Sequence, residues 1–252
     1  MVATPQISVC IPAYDMRGQG ASFLAEAFES LLTQEFKDFE VVVADQSETE
    51  DVAQLCKAYS VRLPVTYVKN QAGMRRAAAN TNFAMQHGKG RVIKILFQDD
   101  YLCDPDALGA LAKAFNYTRF RWCVTGSAVT RDGQTIEHPL VPSYHDQIRF
   151  GRNTISSPSV LALDAQQRER FDENLVWLMD VDLYHRCHTS YGPPVVLPDI
   201  HVVNRLHDAQ VSRSVTPAQR RAELAYMKRK AGFGGIRGAR SYFLQWVRSY
   251  RV

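Results

Sequence analysis

Long apolar runs are missing from this sequence. No stretch approaches the roughly 18 to 20 uninterrupted apolar residues that cross a bilayer, and Met1 to Gln6 lack the basic start and apolar stretch of a secretory leader. These absences predict a soluble or membrane-peripheral chain. Cysteine is sparse: Cys10, Cys56, Cys103, Cys123 and Cys187 are odd in number and far apart. With no Cys-x-x-Cys pair, neither a disulfide framework nor a thiolate zinc cluster is expected, and a reducing cytoplasm fits best. Internal repeats and low-complexity tracts are also absent.

What is present suffices for a full core. The chain has 252 residues, 46% of them hydrophobic, enough for one domain or one domain with a small appendage. Its net charge of +4 is unevenly spread. From Arg205 onward eleven Lys and Arg face only Asp208 and Glu223, leaving +9, while nineteen basic against twenty-four acidic side chains before it leave −5. A basic face of this kind attracts anionic headgroups, nucleic acid or an acidic partner, and equally describes a solvated surface helix.

Strand and helix patterns alternate through the first 100 residues. Ile7 to Ile11 is a short apolar run ended by Pro12, followed by helical spacing over Ala21 to Leu32 with Ser22 as a candidate cap. Phe39 to Ala44, ending at Asp45, reads as a second buried strand, then Asp51 to Tyr59 as a helix, Val65 to Val68 as a strand and Met74 to Met85 as a helix. Arg91 to Phe97 supplies a fourth strand that runs into Gln98, Asp99 and Asp100. Such alternation predicts a mostly parallel sheet with helices on both faces, and ligands bind such sheets at the carboxyl ends of the strands. Beyond it, Asp106 to Phe115 reads as a helix, Trp122 to Thr130 as a strand, and Pro139 to Ser157 as a long pocket-shaping loop. From Pro217 the pattern is helical, broken near Gly232 to Gly238 and resumed from Ala239.

Four features could carry chemistry. Asp99-Asp100 places two carboxylates at a strand end, where Mg²⁺ or Mn²⁺ can bridge acids to phosphate oxygens; two solvated turn acids would look the same. Asp180-Val181-Asp182 opens a helix, as simple capping or as a general base, with Asp180 the better placed to face a pocket. His207 can join carboxylates around Mn²⁺ or be structural. Arg75 or Arg76, beside Gly73 at a helix start, could hold phosphate oxygens.

In order and spacing, Ser8 to Tyr14, Phe39 to Ser47, Gly73 to Asn80, Phe97 to Asp100, Met179 to Leu183 and Arg205 to His207 with Gln210 and Ser212 resemble the family 2 glycosyltransferases of GT-A fold, the bacterial surface-polysaccharide type. The resemblance covers about residues 6 to 213. It implies a GT-A, Rossmann-like α/β domain over 1–213, with a nucleotide-binding half to about 100 and an acceptor-binding half beyond, plus a C-terminal helical extension over 214–252. It implies an inverting transfer from a nucleotide diphosphate sugar, UDP-sugar before others, to a glycan or lipid-linked glycan hydroxyl in lipopolysaccharide or capsule synthesis. Nucleotide contacts fall on Pro12, Ala13, Tyr14, Asp45, Gly73, Arg76 and Asp99, a divalent metal on Asp99, Asp100 and His207, and the catalytic base on Asp180.

The chain departs from the family pattern at three points. It has Asp45-Gln46-Ser47 for Asp-Asp-x-Ser, Phe97 where the first acid of D-x-D stands, which leaves open which of Asp99 and Asp100 touches metal, and Met179 in place of Glu before the base. A dehydrogenase is disfavoured, since Pro12 to Gly18 contains no G-x-G-x-x-G. A sugar nucleotidyltransferase shares fold and acids but would open with a Gly-rich basic loop, and a non-catalytic scaffold keeping the fold is the remaining alternative. In the tail, aromatic and basic residues interleave over 217–252, which suits a headgroup interface at the inner face of a membrane, packing on the chain's own domain, or a homo-oligomer contact. Nucleic acid is not an expected partner.

Overall fold

The computed structural model describes residues 4–71, 74–117 and 120–250. Its sheet is built outward from two strands, Ile7–Ala13 (β1) and Phe39–Asp45 (β2), in which every residue is buried. Strands covered on both faces have no polar side, which is why these segments read as continuous apolar runs. They pair in parallel from Ile7 opposite Phe39 to Ala13 opposite Asp45, so their carboxyl ends lie side by side. Val65–Lys69 (β3) extends the sheet beyond β2, and Val92–Ile95 (β4) pairs with β1, both in parallel.

The second half of the sheet is mixed. Tyr101–Leu102 (β5), Trp122–Thr130 (β6), Glu137–Leu140 (β7), Leu161–Asp164 (β8) and Val195–Arg205 (β9) complete the order β3-β2-β1-β4-β8-β6-β9-β5, with β7 beside β6. β8 is antiparallel to β4 and β6, and β9 runs parallel to β6. The expected α/β class and GT-A-like sheet are therefore present.

Helices Gly20–Leu32 (α1), Asp51–Tyr59 (α2), Ala77–His87 (α3), Ala107–Tyr117 (α4) and Met179–Tyr191 (α5) cover the sheet. In α1 Leu24, Ala27, Phe28 and Leu31 are buried at the i, i+3, i+4, i+7 spacing of one helical face. Ser22 does not cap it: the cap position is Gln19, whose carbonyl accepts the Ser22 hydroxyl at 2.8 Å. Gly20 permits a close approach, since a Cβ there would lie 2.1 Å from the Tyr14 carbonyl oxygen.

Several boundaries differ from the sequence reading. β4 ends at Ile95 rather than Phe97, because the Phe97 N–H is taken by Ser159 Oγ at 2.9 Å and the chain turns into the site. α3 starts at Ala77 rather than Met74, with Arg76 extended and the Arg75 guanidinium drawn to Gln46 and Glu48. β8 and β9 have no counterpart in the sequence reading. β8 is only four residues long, and β9 carries Pro198 and is largely exposed over its first half.

The tail forms Val211–Ser214 (α6), Pro217–Ala231 (α7) and Ile236–Arg248 (α8). Thr216 and Gln219 close a reciprocal capping box at the start of α7. Leu224 and Met227 of this helix are fully buried in the same core as the sheet. Gly232, Gly234 and Gly235 take positive φ between α7 and α8. Among the described residues, no helix is long and apolar enough to cross a membrane.

Candidate active site

Because β1, β2 and β4 end on the same edge, their following loops face one another across a cavity of about 530 Å³. Pro12 near the end of β1, Tyr14 after it, Gln46 after β2, Arg75 and Arg76 before α3, and Phe97 to Asp100 after β4 line it. Ser157, Trp177, Met179, Asp180 and Asn204 also line it, with Gln210, Val211 and Gln219 contributed from the chain's end.

The two adjacent acids have separate environments. Asp99 Oδ2 lies 2.9 Å from His207 Nε2, and the imidazole ring packs tilted at 46° against Phe23 of α1, with 4.8 Å between ring centres. The Ala209 N–H points at His207 Nδ1 at 3.2 Å, so in this arrangement Nε2–H donates to Asp99. Asp100 is buried beneath, and both of its oxygens are engaged: Oδ2 accepts from Ser159 at 2.5 Å and Ser157 at 3.3 Å, and Oδ1 accepts the Arg205 N–H at 3.0 Å. Burial, followed by the neighbouring charge of Asp99, raises the Asp100 carboxyl above the usual range. Beneath the site Lys94 of β4 is almost fully enclosed and donates to the Ser159 carbonyl, and burial lowers its ammonium to about 7.

Asp180 stands in the first turn of α5, where helix-end amides favour a negative charge. Its Oδ2 accepts from Asn153 Nδ2 at 2.7 Å and its Oδ1 from the Val181 N–H at 2.7 Å. Burial pushes its carboxyl up to about 7 against the opposing effect of these bonds. Asp182 is turned away from the cavity, held by Arg186 Nε at 2.8 Å and Lys230 Nζ at 2.8 Å.

Of the residues expected to touch nucleotide, Pro12, Tyr14, Arg76 and Asp99 line the cavity. Ala13 and Asp45 lie a layer below, both fully buried. The Ala13 carbonyl accepts from Asn80 Nδ2 at 3.0 Å, and the Asp45 carboxylate accepts from Tyr67 at 2.8 Å, Lys69 at 3.1 Å and the Ser47 N–H at 2.8 Å. Gly73 lies outside the described residues. Of the expected metal ligands, Asp99 and His207 meet directly, while Asp100 is the framework-bound neighbour. Among the described residues no group of three or more His, Cys, Asp or Glu is assembled as a ready-made metal site.

Sequence reasoning missed the residues that hold this constellation together. Gln98 Oε1 accepts the Tyr14 N–H at 2.6 Å while its Nε2 donates to the Tyr14 carbonyl at 3.0 Å and the Gly20 carbonyl at 3.1 Å, pinning the β1 loop. Glu223 of α7 accepts the N–H groups of Val176, Trp177 and Leu178 ahead of Asp180. The only sequence signal for Gln98 was its place beside the acid pair, and for Glu223 its isolation among basic residues.

This arrangement has relatives. The solved structure of S. aureus TarS 1–349 in complex with UDP-GlcNAc superposes with a TM-score of 0.70 at 13% identity, covering 97% of this chain and 72% of that one. The mannosyltransferase PcManGT from Pyrobaculum calidifontis, in complex with GDP-Man and Mn²⁺, gives 0.65 at 16% identity over 93% and 66%. At such identities the likeness is one of fold. An uncharacterized protein of Sinorhizobium fredii is 25% identical over 187 residues, 73% of this chain but 20% of that protein. The chain spans from a fifth to a third of the length of the first curated relatives it matches. The model of the family described as glycosyl transferase family 2 matches residues 8–158, which run from β1 through the acid pair to Ser157, one of the two serines that hold Asp100. More than half of the chain, including the edge of the sheet on which the cavity is built, thus places it in one lineage: it belongs to glycosyl transferase family 2.

Proposed function

We propose that this chain transfers a glycosyl group from a nucleoside diphosphate sugar to an acceptor hydroxyl with inversion at the anomeric carbon. The observation that carries the reading is Asp180, a cavity-wall carboxyl raised to about 7, in the same cavity as Asp99, which pairs with His207. A base of that pKa is matched to taking a hydroxyl proton near neutral pH.

The acceptor oxygen attacks the anomeric carbon, its proton passes to Asp180, and the bond from that carbon to the diphosphate oxygen breaks with its electron pair on the leaving group. Asn153 fixes the orientation of the accepting carboxylate. In this reading Arg75 and Arg76, which line the cavity, turn from Glu48 and the Gln46 and Glu173 carbonyls to phosphate oxygens, and Pro12, Tyr14 and Gln46 hold the nucleoside. Asp99 and His207, with diphosphate oxygens and water, fit a Mn²⁺ or Mg²⁺ ion, which keeps several non-protein ligands when few side chains are supplied. When bound, such an ion would neutralise charge on the departing diphosphate. Holding it through Nε2 requires the imidazole proton to move to Nδ1 and the Ala209 amide to give way.

UDP-sugars and, next, GDP-sugars are the donors we favour, supported by the UDP-GlcNAc and GDP-Man complexes of the two structural neighbours. The acceptor in this reading is a glycan or lipid-linked glycan of a bacterial surface polysaccharide. We read residues 1–213 as the catalytic domain and the extension as its supporting element, since α7 lends Gln219 to the cavity. Calorimetric titration of UDP, GDP and dTDP with and without Mn²⁺ tests the donor. Tight binding of one nucleotide supports the proposal, and no binding of any overturns it. NMR of the first-formed product reads the anomeric outcome, and retention would remove Asp180 from its role.

A further inference from the structure

The outer face of α8 is unusual for a folded chain. Ile236, Phe243, Leu244, Val247 and Tyr250 are 87, 58, 49, 54 and 64% exposed, a contiguous set of large apolar side chains on one short segment. At about 100° per residue, Phe243 and Val247 fall within about 20° of Ile236, so the three make one stripe; Tyr250, just past the end of α8, carries the Arg221 guanidinium over its ring at 4.2 Å. Gly238, Tyr242 and Ser249, which are buried against the body, fall on the opposite side. Arg240 lies beside the stripe, with Leu244, Arg237 and Arg248 next round the helix.

Those arginines also line a groove of about 520 Å³ with Arg152 and Gln147, apart from the active-site cavity. None of Arg237, Arg240 and Arg248 is ion-paired among the described residues, and Arg152 donates to Gln147 rather than to an acid. Unpaired cations rimming an exposed apolar stripe describe one kind of partner: an apolar layer under an anionic surface. A second copy of the chain would cover the stripe but bring the same cations with it.

We propose that α8 lies flat on an anionic lipid bilayer, with Ile236, Phe243 and Val247 in the acyl boundary and Arg237, Arg240 and Arg248 at the phosphates. The surface adjoins the site: Arg152 of the groove precedes Asn153, whose amide holds Asp180. Docked this way, the chain turns the loop of Asn153, which holds the proposed base, toward the headgroups, which suits an acceptor carried on lipid. That last step rests on the transferase reading, and the docking does not.

Co-sedimentation of the full chain with phosphatidylcholine vesicles, with and without phosphatidylglycerol, tests the docking directly. Wild type should partition more than about tenfold better onto the anionic vesicles, and less as salt rises. The double variant I236S/V247S alters two exposed side chains and should keep wild-type circular dichroism and melting while losing most of the binding. R240E/R248E should lose the preference for phosphatidylglycerol. Equal or absent binding to both vesicles, or unchanged binding by I236S/V247S, overturns the proposal. So does light scattering in which I236S/V247S has a lower mass than wild type, since the stripe would then be a self-contact. None of these readouts depends on sugar transfer.

Discussion

The Glu223 carboxylate accepts the Leu178 N–H at 2.9 Å, tying α7 to the backbone two residues before Asp180. The same carboxylate takes the N–H groups of Val176 at 2.9 Å and Trp177 at 3.0 Å. Three amides at a helix entrance are thereby satisfied by one side chain that is 8% exposed. Placement of the proposed base thus depends on a residue of the tail.

Glu223→Ala should leave those amides without partners, at a cost of about 2 to 4 kcal/mol, read as a lower melting temperature. It should also lower kcat more than it raises the donor KM. Glu223→Gln keeps part of the bonding and removes a negative charge that raises the Asp180 pKa. Its kcat/KM profile should therefore extend to lower pH than that of wild type. An unchanged profile would leave Glu223 with a scaffold role only.

Asp180 should govern the acid limb of activity. As a base it must be ionised, so kcat/KM should fall as pH drops through about 7. Asp180→Asn should lose about a thousandfold or more in kcat with nucleotide affinity retained. The raised pKa has a stability consequence of defined sign. Folding favours the protonated form, so ionised Asp180 destabilises the chain once pH exceeds its unfolded pKa, and in full above about 7. Asp180→Asn should melt higher than wild type at pH 8, with the gap closing as pH falls toward about 4.

Metal binding should be contingent on nucleotide. With Asp99 and His207 as the protein's ligands, Mn²⁺ alone should bind weakly, and UDP or GDP should strengthen it by more than about tenfold. Asp99→Asn should abolish that coupling in calorimetry. Asp100→Asn, at a framework position held by Ser159 and the Arg205 amide, should instead act mainly through the melting temperature.

Gln98→Ala should release the loop after β1. Losing the paired bonds to Tyr14 and the contact to Gly20 should raise the donor KM by about tenfold, while the melting temperature falls by a few degrees. Gly20→Ala should be the more damaging substitution, because its methyl would meet the Tyr14 carbonyl. A Gln98→Ala enzyme with unchanged KM would mean that the loop is held without it.

Much of the fold was readable from residue order because local periodicity dictates it. The mostly apolar runs at Ile7 and Phe39, broken only by Ser8 and by Glu40 and the terminal Asp45, read as buried strands, and the spacing of Leu24, Ala27, Phe28 and Leu31 could only bury one helix face. β8 and β9 escaped because pairing partners, not periodicity, make them strands: the outer half of β9 is exposed and holds a proline.

The sequence by itself determined the α/β class, the strand-end placement of the acid pair and the position of Asp180 at a helix start, since these follow from nearest-neighbour patterns. Only the tertiary structure decided that Asp99 meets His207 while Asp100 is bound into the framework, because that depends on Ser157, Ser159 and Arg205 arriving from distant parts of the chain. Likewise, the charge count marked the tail as a separate basic surface, whereas packing buries Leu224 and Met227 in the core and brings Glu223 to the Asp180 helix. Burial and long-range hydrogen bonding set the environment of each ionisable group, and neither is encoded in its sequence neighbours.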